Sequence, residues 1–172
     1  MDDFCKLKFK RNLGLTAIQK ALLQMAVSAL YLYLLYKQGT LVSSIYIPFV
    51  NVSFELHPLM YIFFAMFVMV GCVNAVNLTD GLDGLCASVT LPVMIFFAAA
   101  GICMERLDLA LLPAALVGGL IAYLFYNWHP AKVFMGDTGS LFLGGMICAV
   151  AFGVKMPMLL LFVGIIYIVE TM

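Results

Sequence analysis

Asn74, Asn77, Asp80 and Asp83 recur at every third position through Asn74-Ala75-Val76-Asn77-Leu78-Thr79-Asp80-Gly81-Leu82-Asp83-Gly84-Leu85. Carboxylate and amide oxygens suit a hard cation, and they also accept hydrogen bonds from a base or a sugar. If a helix end continues through them, the four residues form one polar stripe. Gly81 and Gly84 remove a side chain beside each aspartate, so a ligand or a neighbouring backbone can come close. The alternative is a capped turn between two helices, with Asn and Asp as cap residues. Four such residues in register at the end of an apolar run favour the chemical reading, because ionisable groups at membrane depth are costly and functional by default.

A second segment, Asn127-Trp128-His129-Pro130-Ala131-Lys132-Val133-Phe134-Met135-Gly136-Asp137-Thr138-Gly139-Ser140, leads into another apolar run. Gly and Ser/Thr at a helix start leave backbone N–H groups for a phosphate, and Asp137 offers a metal ligand. Mg²⁺ commonly takes one or two protein carboxylates, with water and substrate phosphates completing its octahedron. Phe134 could stack on a nucleobase. Against this, Asp137 could be an N-cap and Phe134 an interfacial aromatic. The third segment, Met1-Asp2-Asp3-Phe4-Cys5-Lys6, precedes Lys8, Lys10, Arg11 and Lys20. Adjacent carboxylates near lysines could orient or deprotonate a phosphate nucleophile. An exposed acidic terminus beside a topogenic basic patch is the plainer reading.

The elements that must position these residues follow from composition. Hydrophobic residues make up 65% and charged residues 10% of the 172, and the mean hydropathy is +1.11. A soluble domain carries about 25% charged residues. The chain therefore reads as a membrane protein of one domain spanning 1–172, and its zero net charge gives no reason to expect nucleic acid. Five cysteines (Cys5, Cys72, Cys86, Cys103, Cys148) show no CxxC spacing and read as inert thiols. A secretory leader is not expected, because Asp2, Asp3 and a basic stretch follow Met1.

A spanning helix needs about 20 apolar residues. Spans are expected at 17–36, 58–76, 85–104, 109–127 and 141–154, with a sixth starting after Pro157. The β-branched and aromatic run 45–54 suggests a short external hairpin. The expected fold is all-α and polytopic, with about six helices. Crossing parity then puts the N-terminal segment and the two Asn/Asp-bearing loops on one side of the membrane. That side holds Lys6, Lys8, Lys10, Arg11, Lys20 and Lys132, against Lys37, Arg106 and Lys155 on the other. Excess Lys/Arg marks the cytoplasmic face, so Asp2, Asp3, Asp80, Asp83 and Asp137 are expected there.

Four segments together, DDFCK at 2–6, RNLGLTAIQK at 11–20, NAVNLTDGLDGL at 74–85 and FMGDTGSLFLGG at 134–145, closely resemble one family. They are similar to the phospho-N-acetylmuramoyl-pentapeptide transferase branch of the polyprenyl-phosphate N-acetylhexosamine-1-phosphate transferases. Lys6 after the Asp pair and the NLGLTAIQK segment resemble that branch; the GlcNAc-1-phosphate branch tends to carry an acidic residue at the Lys6 position. The resemblance implies a Mg²⁺-dependent enzyme of the bacterial inner membrane. It would transfer phospho-MurNAc-pentapeptide from UDP-MurNAc-pentapeptide to undecaprenyl phosphate, giving lipid I and UMP for peptidoglycan synthesis.

It further implies that Asp137 holds Mg²⁺, that Asp2 acts as base on the lipid phosphate and that Asp3 supports that centre. Asn77, Asp80, Gly81, Leu82 and Asp83 would line the nucleotide-sugar pocket. Phe134 would stack on uracil with Gly136 close by, Lys6 and Lys20 would hold phosphates, and Asn127 would lie near the metal loop. A homodimer is implied as well. The family fold has about ten spans and a His-rich loop. The resemblance therefore implies a central portion truncated at both ends, expected to lack transferase activity in isolation. A GlcNAc-1-phosphate transferase is the rival within the class. An ion-coupled transporter or channel would instead place acids at mid-membrane, and a scaffold would give no reason for three acidic loops on one side.

Overall fold

The computed structural model describes residues 16–41, 43–47 and 52–171, and it divides into two compact units, 1–71 and 72–172. In the first unit, helix α1 covers Ala17–Lys37. Thr16 and Gln19 close a capping box: the Thr16 hydroxyl accepts from the Gln19 N–H at 3.3 Å, and the Gln19 side chain accepts from the Thr16 N–H at 3.0 Å. Two orphan donors of the first turn are thereby satisfied. Strands β1 (Ser44–Ile47) and β2 (Val52–Glu55) pair antiparallel, with Ser44 opposite Glu55 and Ile47 opposite Val52. The expected hairpin is present.

Helix α2 covers Pro58–Thr79, and its last turns open the second unit. There follow α3 (Leu85–Cys103), α4 (Leu107–Asn127), α5 (Gly136–Gly153) and α6 (Leu159–Thr171). Among the described residues, α1 to α5 are long and apolar enough to cross a membrane. The sixth expected span appears as α6, with 13 residues. Side chains such as Phe63, Phe67, Leu111 and Phe125 lie 74–80% exposed, as lipid-facing residues of an apolar helix do. The architecture is all-α and polytopic.

Two boundaries move relative to expectation, and both concern the Asn/Asp segments. Helix α2 runs to Thr79, whose buried hydroxyl donates to the Ala75 carbonyl at 2.9 Å. The helix ends there, so Asp80 and Asp83 do not continue the stripe of Asn74 and Asn77; they lie on the turn that follows. Helix α5 begins at Gly136, so the polar Gly136–Ser140 run forms its first turn. Asp137 in that turn sits favourably against the positive helix end.

Small residues bring the helices of the second unit together. A Cβ on Gly144 of α5 would stand 2.8 Å from the Val73 Cα of α2, so only glycine allows that approach. Tyr167 of α6 donates to the Thr90 hydroxyl of α3 at 2.9 Å, and Thr90 donates to the Cys86 carbonyl at 2.7 Å. Both side chains are fully buried. Such bonds contribute modestly in apolar surroundings, about 1 kcal/mol each.

Candidate active site

The close packing of α2 on α5 sets two polar turns against each other. Val73 lies one turn before Asn77, and Gly144 one turn after Ser140. At that end the Asn77 amide donates to Asp137 Oδ1 at 3.2 Å and to Ser140 Oγ at 2.8 Å. Ser140 is fully buried, and its hydroxyl donates to the Gly136 carbonyl at 3.1 Å. One amide nitrogen thus orients a carboxylate and anchors the first turn of α5. Asp137 is not an N-cap: Met135 occupies that position and no side chain caps the helix.

Asp80 follows directly, its N–H bonded to the Asn77 carbonyl at 3.2 Å. Partial burial, and secondarily the charge of Asp137, push its carboxyl up to about 6. The Asp137 charge thus adds to the cost of ionising Asp80, a cost that a nearby cation relieves.

Two further ties join the turn after α2 to the loop between α4 and α5. Asp83 Oδ2 accepts from the Ala131 N–H at 3.0 Å and meets His129 Nδ1 at 3.0 Å. The Ala131 N–H first, then His129, hold the Asp83 carboxyl below the usual range. Asn127, only 2% exposed, accepts from the Gly84 N–H at 3.0 Å and donates to the Val133 carbonyl at 2.8 Å. Gly84 has φ +73°, and a Cβ there would meet the Asn127 carbonyl at 3.5 Å. Its left-handed backbone and the passage of the α4 end both favour glycine. The space at Gly81 is open, since a Cβ there would meet only the Leu78 carbonyl, at 3.5 Å.

The structure therefore brings together Asn77, Asp80, Asp83, Asn127 and Asp137 from segments about 50 residues apart in sequence. Leu82 and Phe134 stand 67% and 66% exposed, and Gly136 opens α5 with φ +60°. Lys20 lies near the start of α1, in the first unit. Asp2, Asp3 and Lys6 lie outside the described residues. Sequence reading missed Ser140 as the anchor of Asp137, and His129 and Ala131 as the partners of Asp83. The GDTGS spacing held the first clue, since Ser140 stands one helical turn beyond Gly136.

A family model described as "Glycosyl transferase family 4" matches residues 1–155. The chain belongs to glycosyl transferase family 4. Its similar relatives include proteins named phospho-N-acetylmuramoyl-pentapeptide-transferase from three bacteria. The one from Listeria welshimeri is 45% identical over 171 residues, 99% of this chain and 52% of the relative. The Clostridium acetobutylicum protein is 43% identical over 172 residues, 100% and 54% of the two chains. The Caldanaerobacter subterraneus protein is 46% identical over 169 residues, 98% and 52%. The chain thus spans about half the length of the curated relatives it matches.

Among the described residues no three His, Cys, Asp or Glu side chains gather as a metal site. Asp137 with Asp80 beside it nevertheless fits Mg²⁺, which needs only one or two protein carboxylates when phosphates and water supply the remaining ligands. Among the described residues no set of His or Cys ligands of the kind zinc takes is gathered.

Proposed function

We propose that this chain carries the nucleotide-sugar and metal-binding portion of a Mg²⁺-dependent transferase that makes lipid I. The reaction moves phospho-MurNAc-pentapeptide from UDP-MurNAc-pentapeptide to undecaprenyl phosphate. An oxygen of the lipid phosphate forms a bond to the sugar-linked phosphorus, and the bond from that phosphorus to the UMP oxygen breaks. The observation that carries this reading is the Asn77 amide joined to Asp137 and Ser140, because it links two of the four segments that bear the family resemblance. The names of the relatives, at about 45% identity, support the substrate.

In this reading Asp137 holds the metal, which when bound neutralises charge on the pyrophosphate. Positioning and charge neutralisation carry most of phosphoryl-transfer catalysis. Asn77, Asp80, Gly81, Leu82 and Asp83 line the nucleotide-sugar pocket, and Phe134, exposed beside the α5 N-terminus with Gly136, stacks on uracil. Asp2 takes the proton of the lipid phosphate with Asp3 in support, while Lys6 and Lys20 hold phosphates. The two Asn/Asp-bearing loops face the cytoplasm of a bacterial cell, where the nucleotide sugar is made.

The test is UMP release by the protein expressed from its full open reading frame, in detergent with Mg²⁺ and undecaprenyl phosphate. Turnover of UDP-MurNAc-pentapeptide, abolished by chelating the metal, is expected. Turnover of UDP-GlcNAc alone would move the protein to the GlcNAc-1-phosphate branch.

A further inference from the structure

We propose that Asn127 is a positioning residue that sets the gap between Asp83 and Phe134, and so the shape of the nucleotide pocket. The proposal rests on the transferase reading above. Asn127 ends α4 and is 2% exposed, so it does not present its amide to a substrate. Its two arms bind backbone on opposite sides: Oδ1 takes the Gly84 N–H at 3.0 Å, and Nδ2 reaches the Val133 carbonyl at 2.8 Å. Gly84 is the residue after Asp83, and Val133 the residue before Phe134. One side chain therefore bridges the backbones that carry the sugar-nucleotide carboxylate and the base-stacking ring.

The bridge has a second strut. Asp83 Oδ2 accepts from the Ala131 N–H at 3.0 Å, so the 131–133 backbone is held at alternate residues, by Asp83 and by Asn127. An amide offers a donor on one arm and an acceptor on the other. A carboxylate at position 127 could keep the Gly84 bond but would face the Val133 carbonyl with an oxygen. The Tyr123 hydroxyl also reaches that carbonyl, at a longer 3.4 Å, and is a weaker hold. Loss of the amide thus loosens the pocket wall while leaving Asp137 and its Asn77 bond in place.

The experiment compares the protein from the full reading frame with Asn127→Leu and Asn127→Asp, in detergent. Three quantities are read: the Kd for UMP, the separate KM values for nucleotide sugar and polyprenyl phosphate, and amide hydrogen exchange in 78–86 and 128–135. Expected for Asn127→Leu are roughly tenfold or greater rises in the UMP Kd and nucleotide-sugar KM, with the lipid KM unchanged. Exchange should quicken in both segments. Asn127→Asp should keep Gly84 protected and loosen only 128–135, and it decides the matter if the leucine variant does not fold. Unchanged UMP affinity, or equal rises in both KM values, overturns the proposal. A parent protein that fails to bind UMP overturns the transferase reading and the pocket role with it, while the exchange pattern still decides whether Asn127 joins the loops.

Discussion

At the residue scale the site is governed by which polar atoms are already engaged. Asn77 divides one amide nitrogen between Asp137 and Ser140, which makes it the orienting partner of the carboxylate that would hold the metal. Groups in that position typically contribute 10- to 100-fold to metal affinity. Asn77→Leu is therefore expected to raise the Mg²⁺ concentration for half-maximal UMP release by about 10- to 100-fold. Asp137→Asn should remove activity at any Mg²⁺ concentration. Asp80 yields a prediction in pH. Its folded-state ionisation, near 6, lies above the unfolded value of 3.8, so the folded protein holds the extra proton between them. That contribution to stability is complete below about pH 4 and is lost as pH rises through about 6. Thermal unfolding without divalent cations should show stability falling across this window, and Asp80→Asn should flatten the fall.

At the scale of elements, the α2–α5 contact determines whether the two motifs meet at all. Gly144 is the pivot, since a side chain there would strike the Val73 backbone. Gly144→Leu is expected to separate α2 from α5, to destabilise by about 1–3 kcal/mol and to lower activity at least tenfold through the lost Asn77–Ser140 bond. Gly145→Leu is the control, because a Cβ at Gly145 meets nothing within 4 Å; it should leave melting temperature and turnover near those of the parent. Unfolding and UMP-release assays on the pair test this. The capping box at Thr16 and Gln19 shows a different kind of element signal: Thr-x-x-Gln before an apolar run is readable from sequence alone. The stop of α2 and the start of α5 are less legible. Asn77 and the Gly136–Ser140 run look like loop residues by composition, and tertiary hydrogen bonds draw them into helices.

At the scale of the whole molecule, five apolar helices among the described residues, with exposed large side chains, make this a membrane protein. Crossing parity with the Lys/Arg excess leads us to expect the two Asn/Asp-bearing loops on the cytoplasmic side, and cysteine scanning tests it. Single cysteines at Leu82 and Lys132 should react with an impermeant maleimide only when the cytoplasmic face is open, and one at Glu105 only from outside. Labelling of Leu82 and Lys132 variants from opposite faces would break the topology.

By itself the sequence was enough for the membrane class, the spans to within a few residues, the hairpin and the identity of the motifs. Each of these depends on local composition, chain length or the order of types along the chain. The aspartates of both motifs were therefore visible from the start. The tertiary structure alone decided which partners they take: Asp137 held by Asn77, Asp80 pressed toward neutrality by burial and by Asp137, and Asp83 tied to Ala131 and His129. It also made Asn127 a buried bridge between two loops. Partners some 45 to 60 positions apart leave no periodic trace in sequence, because only the packing of α2, α4 and α5 brings their polar atoms within hydrogen-bonding reach.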